Sequence, residues 1–182
     1  MTVIGLTGRN GAGKGEVAEI LKNRGFHYAS LSDVLRAELQ TRGDQVSRMN
    51  LVRVGRELRA LYGPSILACR IGASLDSAER HVIDSIRNPA EVRWLQNNVP
   101  GFALWNVTAS ATIRFYRIRQ RKRESDPQTL EQFLELEELE ANAIDSSGQD
   151  MVGTAELADI DVPNETTLED LVAHVDKLLG KA

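Results

Sequence analysis

A glycine-rich segment near the start of the chain constrains the fold most strongly. It reads GLTGRNGAGKGEV over residues 5–17 and includes the end of a short apolar run, residues 3–6. Glycines let the backbone turn its N–H groups toward an anion, and a helix that starts there adds a positive end. Val17, Ile20 and Leu21 recur at helical spacing, so a helix is predicted to leave the loop. Strand, loop and helix in this order predict a phosphate-binding Walker A loop rather than a glycine-rich turn without a ligand.

The predicted loop residues would bind the phosphates of a nucleotide donor. They are Gly8, Arg9, Asn10, Gly11, Ala12, Gly13, Lys14, Gly15 and Glu16. Most such loops place a serine or threonine directly after the lysine, and its hydroxyl binds Mg²⁺. Gly15 has no hydroxyl, so the loop leaves open which residues hold the metal. Glu16 is one candidate, although a glutamate in the first turn of a helix is also favourable simply as a charge.

The rest of the chain alternates strand and helix patterns. Helical spacing covers about residues 47–78, interrupted at Gly63-Pro64, and the closing helix is predicted to start with a capping box over residues 166–169. Alternating strands and helices favour a parallel sheet covered by helices on both faces, with ligands beyond the carboxyl ends of its strands. We count five strands, at residues 3–6, 26–30, 81–85, 102–107 and 158–162.

Composition limits the classes of protein that remain. A length of 182 residues suggests one domain, residues 1–182, and 42% hydrophobic with 26% charged residues is typical of a soluble globular protein. The net charge of -4 argues against a general nucleic-acid binder. No apolar run resembles a signal peptide or a membrane span, so a cytoplasmic protein that contacts no membrane is expected. Cys69 is the only cysteine, which fits a reducing compartment.

Several motifs resemble adenylate kinase and its nucleoside monophosphate kinase relatives. The loop ends in Gly-Lys-Gly, and LSDVLRA (31–37), VIDSIRN (82–88) and RFYRIRQRKR (114–123) are similar to later motifs of that family in the same order. The resemblance implies an α/β P-loop nucleoside triphosphate hydrolase fold of the nucleoside monophosphate kinase type. ATP is then the donor, and Mg²⁺ is held mainly through water.

The resemblance also implies roles for individual residues. Arg36 and Arg87 would grip the phosphate of the acceptor, and the paired arginines of the lid would be Arg117 and Arg121. The expected orienters of the metal-bound waters are Asp33 and Asp84. The predicted catalytic residues are Lys14, Arg87, Arg117 and Arg121, and the predicted acceptor-binding residues are Asp33, Arg36, Arg59 and Arg87.

The chain departs from the adenylate kinase pattern in places. Glu16 replaces the usual threonine, Asn10 replaces a proline, and LEQFLELEELEANA lacks the arginines expected beyond the lid. The layout is closer to a nucleotide-kinase-like ATPase family of unsettled substrate found in archaea and bacteria. It also resembles dephospho-CoA kinase, which shares GLTG and the late Ala-Asp strand but normally has Lys-Ser in its loop.

These observations predict a kinase that moves the γ-phosphoryl group of ATP to a small phosphorylated acceptor, a nucleoside or deoxynucleoside monophosphate. An acceptor-binding helical insert is expected at about 36–80 and a short lid at about 117–130. A dephospho-CoA kinase-like enzyme and a low-turnover ATP-binding switch module remain alternatives. No nucleic-acid partner is expected. The protein is expected to be a monomer or a small homo-oligomer.

Three charged surfaces have more than one interpretation. Arg53, Arg56 and Arg59 recur every three residues, so they line the acceptor pocket or form a solvated face, with Arg59 favoured for the pocket. The basic run 114–123 belongs to a lid or a surface, or binds RNA. The glutamates of the acidic helix are predicted to form a solvated helical face or a surface that opposes the basic run. They are at positions 131, 135, 137, 138 and 140.

Overall fold

A computed structural model describes residues 2–120, 127–142 and 149–180, with residues 140–142 described by their backbone alone. The strands are β1 (Val3–Thr7), β2 (His27–Ser30), β3 (His81–Asp84), β4 (Phe102–Thr108) and β5 (Ile160–Pro163). Every neighbouring pair is parallel, and the strand order is β2-β3-β1-β4-β5. The predicted five-stranded parallel sheet is confirmed.

Helices connect these strands. In the described part of the chain they are α1 (Lys14–Lys22), α2 (Leu31–Arg42), α3 (Arg48–Tyr62), α4 (Ile66–Gly72), α5 (Pro89–Asn98), α6 (Ala111–Gln120), α7 (Leu130–Asn142), α8 (Met151–Ala155) and α9 (Leu168–Leu179). The sequence pattern did not predict α8, because its five residues are too few to show a helical period. Its start is capped by Asp150, whose carboxylate accepts a hydrogen bond from the backbone N–H of Gly153 at 2.8 Å. None of the helices listed above is long and apolar enough to cross a membrane.

The sheet has a hydrophobic core on each face, because successive residues of a strand point to opposite sides. On one face Val3 packs with residues of α2 to α5, such as Leu39 and Leu58. On the other face Ile4 and Leu6 pack with apolar residues of α1 and α9. Helices therefore cover both faces, as predicted.

The carboxyl ends of β2, β3 and β1 lie side by side at one edge of the sheet. β1 pairs with β3 on one side and with β4 on the other. The chain builds β2 and β3 on one side of β1 before it crosses to form β4 and β5 on the other side, so the order of the strands reverses at β1. Ligands of open parallel sheets bind at such a switch point, outside the carboxyl ends of the strands. The glycine loop that follows Thr7 lies at this point.

The start of α9 corrects one local prediction. The capping box was predicted to begin at Thr166, but the N-cap is Thr167, whose hydroxyl accepts from the backbone N–H of Asp170 at 3.2 Å. In return the carboxylate of Asp170 accepts from the N–H of Thr167 at 3.4 Å. Both Thr166 to Glu169 and Thr167 to Asp170 have the threonine-to-acid spacing of a capping box, so the sequence pattern alone is degenerate by one residue.

Candidate active site

The loop between β1 and α1 needs glycine at the positions where the sequence has it. Gly8, Gly11 and Gly13 have φ angles of 138°, 79° and 104°, which disfavour any residue with a Cβ. The loop is also closely packed: a Cβ on Gly8 would lie 2.3 Å from the carbonyl oxygen of Val107, and one on Gly13 would lie 2.0 Å from Nδ2 of Asn164. Glycine at these positions therefore lets the loop adopt this shape and pack closely against β4 and Asn164.

Lys14 opens α1 and turns its ammonium group back over the loop. Its Nζ donates to the carbonyl oxygen of Gly8 at 2.6 Å and to that of Arg9 at 3.2 Å. The cation thus lies at the mouth of the loop, close to where the phosphates of a nucleotide would be cradled by backbone N–H groups.

Gly15 is the position where most such loops have a hydroxyl. A Cβ built on Gly15 would contact nothing within 4 Å, so no neighbouring atom requires a glycine there. Glu16 is also exposed, and its Oε2 would lie 3.2 Å from a Cβ on Gly13. Its carboxylate is thus turned back toward the loop.

Asp33 and Arg36 lie together at the carboxyl end of β2. The hydroxyl of Ser30 caps α2 by accepting from the N–H of Ser32 at 3.2 Å, which places Asp33 in the first helical turn. Arg36 follows one turn later and donates to Oδ1 of Asp33 at 2.6 Å. Both side chains are about half exposed, so Arg36 remains accessible to an anion.

Asp84 ends β3, next to the end of β2. Its carboxylate accepts a hydrogen bond from the N–H of Ser85 at 2.5 Å and another from the hydroxyl of Tyr28 at 3.3 Å. Ser85 has a φ of 66°, an unfavourable value for a residue other than glycine, and its hydroxyl lies 3.2 Å from that of Ser30. These contacts tie the two strand ends together.

Tyr28 is a neighbour of this carboxylate that the sequence analysis did not single out. Burial of the Tyr28 hydroxyl raises its pKa, and the negative charge of Asp84 and then of Asp33 raises it further. The charges of both carboxylates therefore act on one phenol. The signal available in the sequence was the alternation of β2, which puts Tyr28 and Ser30 on the same face of the strand.

The oxygen-rich strand ends fit Mg²⁺, which prefers hard oxygen ligands and usually keeps several waters beside one or two carboxylates. Asp84 and Asp33 are the residues that would hold it. Thr7 also lies here, but its hydroxyl donates to the carbonyl oxygen of Ile86 at 3.0 Å in the buried core.

Arg87 lies three residues beyond the end of β3 and is exposed. Its guanidinium donates to Oε1 of Gln149 at 3.3 Å, and its carbonyl accepts from the N–H of Asp150 at 2.8 Å. The N–H of Arg87 donates at 3.1 Å to Oε2 of Glu91. Arg87 is thus held through its backbone from two sides while its side chain stays at the surface.

Glu91 is a fully buried carboxylate in the first turn of α5. Its Oε1 accepts a hydrogen bond at 3.0 Å from Arg59, which comes from α3 in the predicted insert. Burial raises the pKa of Glu91, and the charge of Arg59 opposes that rise. Arg59, predicted to bind the acceptor, therefore contacts the loop of Arg87 through Glu91, whereas Arg53 is a surface residue that pairs with Asp44 and Glu57.

Arg117 lies against the phosphate loop. It donates to the carbonyl oxygen of Ala12 at 3.3 Å and to Oδ1 of Asn164 at 3.1 Å. Arg121, its predicted partner, lies outside the described residues, as do residues 121–126 of the predicted lid.

Asn164 is a second residue that sequence reasoning missed. It is buried directly after β5, and its Nδ2 donates to the carbonyl oxygen of Ala12 at 2.9 Å. The same side chain accepts from Arg117, so it joins α6 to the phosphate loop. The available signal was its position immediately beyond the carboxyl end of a parallel strand.

Comparison with known proteins identifies the family and the fold. A family model described as an AAA domain matches residues 4–145. A UPF0200 protein of Methanothermobacter thermautotrophicus is 37% identical over 142 residues, which cover 77% of this chain and 72% of that protein.

Solved structures with the same fold include two kinases. A shikimate kinase from Bacteroides thetaiotaomicron aligns with a TM-score of 0.60 at 14% identity, over 98% of each chain. A gluconokinase from Sinorhizobium meliloti aligns with a TM-score of 0.56 at 18% identity, over 99% of this chain and 94% of the other. The chain therefore belongs to the AAA domain family and to the UPF0200 proteins, and its fold is that of a P-loop kinase.

Proposed function

We propose that this protein is an ATP-dependent phosphotransferase that moves the γ-phosphoryl group to a small phosphorylated acceptor, a nucleoside or deoxynucleoside monophosphate. One observation carries the proposal: the phosphate loop, the pair Asp33 and Arg36, and the pair Asp84 and Arg87 follow three adjacent parallel strands. The end of β2 thus offers Asp33 and Arg36, and the end of β3 offers Asp84 and Arg87. In each pair the arginine comes three residues after the carboxylate.

Two phosphate-binding positions suit transfer between two phosphorylated molecules. The loop and Lys14 bind the donor, and the guanidinium groups of Arg36 and Arg87 bind the acceptor phosphate. Arginine is suited to this role because its planar fork donates two parallel hydrogen bonds to phosphate oxygens. An unphosphorylated acceptor would offer neither guanidinium group a phosphate.

The residues of the chain contribute positioning and charge rather than a nucleophile. Phosphoryl transfer needs the two reactants in line and the negative charge of the transferring group neutralised. Lys14 and Arg117 supply positive charge beside the loop. Asp33 and Asp84 would hold Mg²⁺ through its waters, and the bound metal would supply further neutralisation of the phosphate charge.

Closure of the lid, about 117–130, and of the insert, about 36–80, is part of the proposal. Arg117 already contacts the loop, and Arg121 would approach the transferring group when the lid closes. Exclusion of water prevents the loss of ATP by hydrolysis, which an open site would allow.

The test is a coupled ADP-release assay with each ribo- and deoxynucleoside monophosphate and with dephospho-CoA. Shikimate and gluconate serve as unphosphorylated acceptors, because kinases of those compounds share the fold. We expect ADP release to rise with one or a few phosphorylated acceptors and with neither acid. Lys14→Ala is the inactive control. If only shikimate or gluconate raised ADP release, the result would contradict the two-phosphate site. If no acceptor raised ADP release, the result would favour the low-turnover ATP-binding switch module.

A further inference from the structure

Glu137 of α7 joins two arginines from different parts of the chain. Its two carboxylate oxygens accept from both terminal nitrogens of Arg114 in α6, with a distance of 2.7 Å between Nη2 and Oε2. Oε2 also lies 3.4 Å from Nη1 of Arg9 in the phosphate loop. Glu137 is 11% exposed and Arg114 only 6%, so their pair is nearly buried, whereas Arg9 is 50% exposed.

Arg114 is itself fixed against the loop. Its Nε donates to the carbonyl oxygen of Ala109 at 2.9 Å, and its guanidinium lies 5.3 Å from the ring centroid of Phe133 in α7. A Cβ on Gly11 would lie 2.8 Å from the carbonyl oxygen of Arg114, which shows how closely the loop packs on α6. The loop therefore contacts the α6–α7 pair through its backbone at Gly11 and through its side chain at Arg9.

The two contacts of Glu137 have different physical consequences. The bidentate pair with Arg114 is nearly buried, so it contributes to the packing of α7 on α6. The contact with Arg9 is long and half solvated, so it adds little to the stability of the fold. What it restricts is the conformation of a glycine-rich loop, whose backbone has unusual freedom.

We propose that Glu137 is a positioning residue for the phosphate loop. It holds Arg9, and with it the loop, against α6 and α7 in the shape that binds the donor triphosphate. The affinity for the donor therefore depends on α7, although α7 itself is not part of the loop. The inference rests on the proposed role of the loop in ATP binding, and it adds a residue that no phosphate-loop motif contains.

The test measures the dissociation constant of ATP with Mg²⁺ by calorimetry, without any acceptor. Arg9→Ala and Glu137→Gln should each raise that constant, by about twofold to fivefold for one partly exposed ion pair. The double variant should bind no more weakly than the weaker single variant, because both changes remove the same contact. Glu138→Gln, the neighbouring exposed glutamate of α7, is the matched control and should bind ATP like the wild type.

Two further measurements separate positioning from folding. Glu137→Gln should also lower the melting temperature, because Arg114 loses its bidentate partner, whereas Arg9→Ala should leave it unchanged. Arg9→Ala therefore tests the proposal even where Glu137→Gln does not fold. Arg9→Lys should recover part of the affinity, since it keeps a cation beside Glu137.

Several results would overturn the proposal. Unchanged affinity in Arg9→Ala means that the contact does not shape the loop, and tighter binding means that Glu137 restrains Arg9 from a better position. Additive losses mean that Arg9 acts on the nucleotide independently of Glu137.

If the wild type binds no ATP, the proposed function fails as well. If ATP binds and the variants behave as expected but no acceptor stimulates turnover, only the acceptor assignment fails.

Discussion

The carboxylate of Glu91, buried at the start of α5, is bonded to Arg59 of α3 at 3.0 Å. Its second oxygen accepts from the backbone N–H of Arg87 at 3.1 Å. One side chain thus connects the predicted insert to the loop that carries a predicted acceptor-binding arginine. This relationship leads to the first two predictions.

Glu91→Ala should destabilise the protein strongly. It removes a buried carboxylate that pairs with Arg59 and accepts a second hydrogen bond from the backbone, and removing one partner of a buried ion pair typically costs about 3–5 kcal/mol. Urea unfolding followed by circular dichroism measures the loss. Glu57→Ala, which removes one partner of the exposed pairs with Arg42 and Arg53, is the control and should move the unfolding midpoint little. Equal midpoints for the two variants would show that the Glu91 pair contributes nothing.

The pH dependence of stability should carry the signature of Glu91. Because burial raises its pKa above the ordinary 4.5, the folded protein binds more protons than the unfolded chain between those two pKa values. The contribution of Glu91 to stability should therefore fall as the pH rises from about 4.5 through the raised value. Subtracting the unfolding free energy of Glu91→Gln from that of the wild type across this range isolates the effect. A difference that grows with pH would contradict the prediction.

Gly15→Ser should restore the conventional metal ligand without strain, since a Cβ there meets nothing within 4 Å. We expect the Mg²⁺ concentration for half-maximal ADP release to fall. Gly15→Ala is the matched control, because it adds a Cβ without a hydroxyl. It should only stabilise α1, by roughly 0.5–1 kcal/mol. The same Mg²⁺ dependence in both variants would mean that the metal does not approach this position.

Asp84→Asn should raise the Mg²⁺ requirement much more than Glu16→Gln. Asp84 lies at the strand end with Tyr28 and near Asp33, whereas Glu16 is an exposed residue in the first turn of α1. Mg²⁺ titrations of ADP release compare the two variants directly. If Glu16→Gln raised the Mg²⁺ requirement more than Asp84→Asn, Glu16 would have the role of the hydroxyl that Gly15 lacks.

Arg36→Lys and Arg87→Lys should raise the KM for the acceptor roughly tenfold, as expected when one charge-assisted hydrogen bond is lost. ATP affinity should stay near the wild-type value, because the loop and Lys14 hold the donor. Calorimetry with ATP and acceptor kinetics provide the two readouts. Equal losses of donor and acceptor affinity would contradict separate phosphate positions. Arg53→Lys, a change in an exposed surface pair, is the control.

The fold class and the place of the candidate site follow from local patterns in the sequence. The alternation of apolar strands with helices allows essentially one arrangement, a parallel sheet covered on both faces, because crossover helices must bury their apolar sides. The glycines of the loop could be recognised because their unusual φ angles are a local backbone requirement, as at Gly8 and Gly13. Asp33 and Arg36 are three residues apart on one helix, a spacing that brings their side chains together, although the sequence analysis assigned them separate roles, at the metal and at the acceptor phosphate.

Contacts between residues that are distant in the sequence follow only from how the chain folds in three dimensions. The partners in three such contacts are separated by 23 to 152 residues: Arg59 with Glu91, Glu137 with Arg114 and Arg9, and Asn164 with Ala12. No sequence period links such residues, and glutamates that point inward or outward look alike in an acidic helix. Glu137 is held inward because α7 packs on α6, and Asn164 reaches the loop because β5 ends at the same edge of the sheet as β1. Those contacts depend on how helices and strands pack, which local propensity does not encode.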